Sequence, residues 1–161
     1  MLGALENLSE SYAAVADSIP AARSAVAEFA AHAGLSEDKL QSVTLASSEA
    51  LTNAVLHAYR GEPGLIHVDA AVVSGELWVL VSDEGHGLRP ADRPGLGLGL
   101  GLISQVSDDF SLMSRAGGGV ELRMCFHRRG GGRAGAHGRD HARGSRSSAS
   151  RPASSRFSTT K

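Results

Sequence analysis

The sequence predicts an α/β (α+β) two-layer sandwich: a mostly antiparallel mixed sheet with helices on one face. Three observations predict it. The elements run in the order β-α-α-β-β-α-β-β. Two pairs of apolar strand-like runs are joined by tight-turn signals, Ser74-Gly75 and Gly117-Gly118-Gly119. Two helical stretches lie side by side in the chain, each opened by a serine and closed by a glycine.

Ser11–Ala16 is a short strand candidate. Ser18-Ile19-Pro20 then opens a helix, with a cap-type serine and an early proline. It runs to about Ala33, and Gly34 ends it. Ser36 caps a second helix, with Glu37 and Asp38 in the first turn, where acids favour the helix dipole. This helix reaches about Tyr59, and Gly61 and Pro63 close it. Leu65–Val73 and Glu76–Asp83 are strands of a hairpin. A Gly/Pro-rich loop is expected from Glu84 to about Gly99, then a third helix over Leu100–Ser107. Phe110–Arg115 and Val120–His127 form the second hairpin.

The 161 residues are enough for one domain with a real core. Aromatics make up only 4%, so Leu, Val, Ile and Ala must build it. No apolar run approaches the roughly 18 residues of a membrane span, and the start MLGALENLSE carries no basic region of a secretory signal. The single cysteine, Cys125, cannot form an internal disulfide, and no Cys/His spacing of a zinc site is present. A cytoplasmic location is expected.

The net charge of −1 conceals an asymmetry. Residues 1–127 hold seven Lys and Arg against 16 acids, a balance of −9. Residues 128–161 hold eight Arg, one Lys and one acid, a balance of +8. The acidic part suits a basic protein surface better than nucleic acid, and no direct nucleic-acid partner is expected. The tail is rich in Gly, Arg, Ser and Ala and is read as a disordered extension beyond a domain of residues 1–127.

Three segments carry chemistry. On the second helix, Leu40, Val43, Ser47, Leu51, Ala54 and Ala58 form a stripe that should face the core. Glu49 and Asn53 lie on the opposite side one turn apart, with His57 a further turn along on their flank. Asn offers a hard oxygen to Mg²⁺, and Glu can take a proton from a hydroxyl. A solvated polar face is the plain alternative. The second segment, Val81-Ser82-Asp83-Glu84-Gly85-His86-Gly87, ends a strand on an acid followed by spaced glycines. The carboxylate can accept from an exocyclic amine, and glycines allow a flat ring close to the backbone; a simple turn is the alternative. The third, Gly95-Leu96-Gly97-Leu98-Gly99-Leu100-Gly101, suits a loop entering a helix N-terminus, where free N–H groups attract phosphate. A flexible lid is the alternative. The run matches neither a Walker loop nor a dinucleotide fingerprint.

The order, element types and spacing of these segments together resemble the nucleotide site of the GHKL, or histidine kinase-like, ATPases. The wording "SEALTNAVLHAY", "VSDEGHGL" and "PGLGLGLGLI" is similar to that of the anti-sigma factor serine kinases, over about residues 10–127. The resemblance implies the histidine kinase-like ATPase fold, ATP as nucleotide and Mg²⁺ as its metal. It implies Glu49 as general base and Asn53 as magnesium ligand, with His57 beside them. It implies Asp83 as the adenine contact, Gly85 and Gly87 shaping the pocket, and Gly95, Gly97, Gly99 and Gly101 as a phosphate-covering lid. The implied partners are an anti-anti-sigma protein with an acceptor serine, a sigma factor, and a second copy of the chain. The segment from Gly87 to Gly95 is short for such a lid, and Gly117-Gly118-Gly119-Val120 stands where the family often has a Gly-Thr pair.

A non-catalytic ATP-binding regulator acting by partner binding is the second reading. A two-component histidine kinase core is disfavoured, because no phosphoacceptor helix hairpin surrounds His32. Four further residues read as structural. Trp78 is sheet packing, Asp108-Asp109 a turn and cap pair, and Cys125 a buried apolar thiol.

Overall fold

The computed structural model describes residues 7–87 and 93–128, without the side chains of 93–98. The lid segment between Gly87 and Arg93, and the tail beyond Arg128, lie outside the described residues. The expected order of elements is observed. β1 is Leu8–Ala13, α1 Ile19–His32 and α2 Glu37–His57. β2 (Leu65–Val73) and β3 (Glu76–Asp83) follow, then α3 (Arg93–Val106), β4 (Asp109–Ser114) and β5 (Val120–His127). One five-stranded sheet has the order β1-β2-β3-β5-β4. All four described pairings are antiparallel, so the expected mixed character resolves to a purely antiparallel ladder.

The strand alternation fixes the layers. Leu77, Val79 and Val81 of β3 point to one side and are buried, as are Ile66, Val68 and Ala70 of β2 and Leu122, Met124 and Phe126 of β5. α2 lies over β2, β3 and β5 on that side, α1 packs on α2, and α3 packs on α2 and β4. Val26, Val43, Leu51 and Ile103 complete the core from the helices. The small residues Ala22, Ala30, Ala46, Ala50 and Ala54 let the helices approach closely. The β2–β3 hairpin turns on Ser74 (φ 53°) and Gly75 (φ 85°), both left-handed, which matches the twist of the flanking strands.

Boundaries and caps differ from expectation in places. β1 begins at Leu8, three residues early, because Leu8 and Tyr12 pack on the core. Its outer face is polar: the Ser9 hydroxyl donates to Asp69 Oδ1 (2.6 Å) and Ser11 Oγ pairs with His67 Nδ1 (2.8 Å). The residues after Ala13 form a short 3-10 turn, Ala16–Ser18. Ser18 and Ser36 both precede helices as expected, but neither side chain caps by hydrogen bond. Ser18 already has helical backbone (φ −80°, ψ −20°), which turns its hydroxyl away from the free N–H groups. Most consequentially, α3 starts at Arg93, not Leu100, so the glycine-leucine run is helix.

Candidate active site

α2 carries more than one buried face. Val43, Ser47, Leu51, Ala54 and Ala58 face inward as the stripe predicts, but Ala46 and Ala50 are buried too. The buried arc is widened by α3, which covers the flank carrying Glu49 and Asn53. Both are half-buried rather than facing solvent. Gly99 of α3 sits directly on them. A Cβ added there would lie 3.1 Å from Glu49 Oε2 and 3.1 Å from Asn53 Nδ2. Four glycines weaken an isolated helix by roughly 1 kcal/mol each; here a side chain at Gly99 would press the tips of Glu49 and Asn53 aside by a few tenths of an ångström. Gly95 and Gly97 lie earlier in α3, and a Cβ at Gly101 would meet nothing within 4 Å.

Asp83 ends β3 at the same place. It is 5% exposed. Burial pushes its carboxyl above the usual range; N–H groups of Gly85 and Val120 and the charges of Arg115 and His67 pull it partly back. The Gly85 N–H donates to Asp83 Oδ1 at 2.9 Å. Asn53 and Asp83 line one cavity of about 40 Å³, walled by Ala50, Val81, Leu112 and Leu122 and closed by Leu100 of α3. That is room for a water or two, far less than a purine. Asn53 Nδ2 is buried there and lacks a hydrogen-bond partner, an expense of about 1–3 kcal/mol that a polar ligand would remove.

The Asp83-Glu84-Gly85 corner is held by close backbone contacts. A Cβ at Gly85 would lie 2.0 Å from the Ala58 carbonyl oxygen, which instead accepts the His86 N–H at 2.9 Å. Gly119 (φ +88°) approaches the Asp83 carbonyl so closely that a Cβ would lie 2.0 Å from it. Gly87 faces the same glycine turn, with Gly119 O 3.9 Å from its Cβ position. Tyr59 clamps the corner from below: its hydroxyl donates to Leu65 O (2.6 Å) and accepts the Glu84 N–H (3.0 Å). His57, the last residue of α2, is half-buried and stands outside the lining of the cavity.

Several contributors were not legible beforehand. Arg115 Nη1 donates to the Asp83 carbonyl oxygen at 3.2 Å, and Leu112, Val120 and Leu122 form the apolar wall. These come from the last hairpin, which the sequence marked only at Gly117-Gly118-Gly119-Val120, where the family often has a Gly-Thr pair near the adenine; Val120 does line the cavity. Among the described residues, no helix is long and apolar enough to cross a membrane.

Comparison with known proteins identifies the family. Residues 12–126 match the family described as the histidine kinase-like ATPase domain. The anti-sigma F factor of Clostridium acetobutylicum is 30% identical over 115 residues, covering 64% of this chain and 80% of that protein. The anti-sigma F factor of Caldanaerobacter subterraneus is 28% identical over 115 residues, with the same coverage. The solved RsbU and RsbW domains of Rv1364c from Mycobacterium tuberculosis share the fold at a TM-score of 0.60 and 20% identity, over 76% of this chain and 32% of that one. With its α2–Asp83–α3 constellation inside the matched span, the chain belongs to the histidine kinase-like ATPase domain family.

Proposed function

We propose that the chain is an ATP-binding anti-sigma factor with protein serine kinase activity. It would phosphorylate an anti-anti-sigma partner, sequester a sigma factor, and act in the cytoplasm as a homodimer. One observation carries the reading. Glu49 and Asn53 stand on successive turns of α2 under the glycine face of α3, and Asn53 shares its cavity with the buried Asp83. The names of the anti-sigma F relatives support the regulatory half.

The residues fit a nucleotide. Asp83 is a carboxylate at the floor of an apolar cavity, suited to accept from the adenine amine. Asn53 brings an amide whose Oδ1 suits a magnesium ion, which would neutralise phosphate charge, while its unmet Nδ2 suits a phosphate oxygen as acceptor. Gly85 and Gly87 keep the wall free of side chains. Gly95, Gly97, Gly99 and Gly101 belong to the helix that would cover the phosphates. Glu49 lies one turn from Asn53 and would take the proton of the acceptor serine. The serine oxygen then bonds to the terminal phosphorus, the bond to the bridging oxygen breaks, and ADP leaves. Positioning and charge neutralisation supply most of the catalysis in phosphoryl transfer. His57 belongs at the margin of this site.

The test is transfer of labelled phosphate from ATP to a small partner protein bearing an acceptor serine. Glu49→Ala should abolish transfer while ATP still binds. Transfer surviving in that variant would remove Glu49 as the base. ATP binding without transfer in the parent chain would favour a regulator that works by binding alone.

A further inference from the structure

A second cluster of donor atoms lies at the end of the sheet opposite Asp83. Glu76 opens β3 and His127 ends β5, paired directly across the antiparallel ladder. Cys125, two residues earlier on β5, shares their sheet face. His127 Nε2 is 3.2 Å from Glu76 Oε1. One donor atom from each of Glu76, Cys125 and His127 lies within 4.8 Å of the others. Cys125 is 2% exposed beneath two half-exposed side chains. Glu76 and His127 also line an open cavity of about 640 Å³.

The donor set and its surroundings suit a borderline-soft cation. Thiolate, imidazole and carboxylate together are zinc ligands. Bonds of about 2.0–2.3 Å in a tetrahedron separate the donors by roughly 3.3–3.7 Å. The Nε2–Oε1 distance is already close to that. Asp108 stands behind the imidazole, its Oδ1 3.9 Å from His127 Nδ1. Its other oxygen accepts from Lys39 Nζ (2.6 Å) and from the His127 backbone N–H (2.8 Å). With a cation on Nε2, a small approach of this carboxylate would let it accept the Nδ1 proton and orient the ring.

We infer that Glu76, Cys125 and His127 form a binding site for a zinc-class divalent cation, with Asp108 as a positioning residue and cavity water as the fourth ligand. The site is seven residues along β3 from Asp83, roughly 23 Å at the rise of a strand. It is therefore distinct from the place proposed for magnesium, a hard ion that prefers an all-oxygen shell. Glu76 and Cys125 are far apart in sequence and meet only through strand pairing, so no Cys/His spacing announces them.

Co²⁺ is the probe, titrated into the full-length chain and followed by absorption, with Zn²⁺ then added as competitor. Cobalt bound through sulfur gives a near-ultraviolet thiolate band, and Cys125 is the one cysteine able to supply it. One equivalent should saturate the band and Zn²⁺ should abolish it. His127→Ala and Glu76→Gln should each weaken binding at least tenfold with unchanged far-ultraviolet circular dichroism. Asp108→Asn should weaken it about tenfold. A folded parent chain that gives no band overturns the site. So does a band of unchanged affinity in either His127→Ala or Glu76→Gln. Because the parent band alone identifies the sulfur, no substitution of the buried cysteine is needed.

Discussion

Gly85→Ala tests how tightly the Asp83 corner is built. The new Cβ would lie 2.0 Å from the Ala58 carbonyl oxygen and 2.5 Å from its carbon. Both neighbours are backbone at the end of α2, so no flexible side chain can yield. The corner must retreat by more than an ångström, which breaks the His86 N–H bond to Ala58 O (2.9 Å). Overpacking costs about 1–3 kcal/mol and the lost hydrogen bond about 0.5–1.5. The sum, about 2–4 kcal/mol, is a large share of the 5–15 kcal/mol typical of a domain. It corresponds to a fall of about 10 °C in the thermal midpoint. Urea unfolding followed by circular dichroism, without nucleotide, should show a lower midpoint at unchanged slope. Gly101→Ala is the matched control. A Cβ there meets nothing, and alanine should stabilise the helix by about 0.5–1 kcal/mol. If Gly85→Ala unfolds within about 0.5 kcal/mol of the parent, the corner has more room than the close contact allows, and the reasoning fails.

Two pH-dependent predictions follow from the buried acids. Burial raises the Asp83 carboxyl, so the folded chain binds its proton more tightly than the unfolded chain. Stability should therefore fall as pH rises from the ordinary carboxylate value through the raised one. Asp83→Asn should raise the thermal midpoint at neutral pH and lose that advantage near pH 4; an advantage independent of pH would contradict the cause. Asp108 has the opposite sign. Burial alone would raise it, but the Lys39 ammonium and the His127 N–H hold it below its usual value. Its contribution is present above that usual value and lost as pH falls through the folded one. Metal-free Asp108→Asn should cost about 1–2 kcal/mol at neutral pH, and equal acid sensitivity in parent and variant would refute the pairing.

Much of the fold was legible because its signals were local. Ser74-Gly75 between apolar runs gave a hairpin, Gly34 (φ +81°) ended α1, and the period of Val43, Ser47, Leu51 and Ala54 identified the face of α2 toward the sheet. What failed depended on contacts distant in sequence. The glycine-leucine run has poor helix propensity, yet Gly99 seats on Glu49 and Asn53, and α3 forms from Arg93. Glu49 and Asn53 read as a polar face because the helix covering them is some 45 residues downstream. Of the candidate site, Asn53 and Asp83 could be paired from the order of the motifs, and they share a cavity. His57 shared the helix period but not the cavity. Arg115 and the wall of Leu112 and Leu122 had no signature, since a hydrogen bond to the Asp83 carbonyl oxygen can be made by any donor that the hairpin happens to bring there.

Calorimetric titration of the full-length chain with ATP in the presence of Mg²⁺, beside folded Asp83→Asn, tests the central claim most directly. The account predicts one-to-one binding by the parent and affinity at least tenfold weaker in the variant, because among the described residues the buried carboxylate is the one charged acceptor lining the cavity. No binding by the folded parent, or equal affinity in Asp83→Asn, would contradict it.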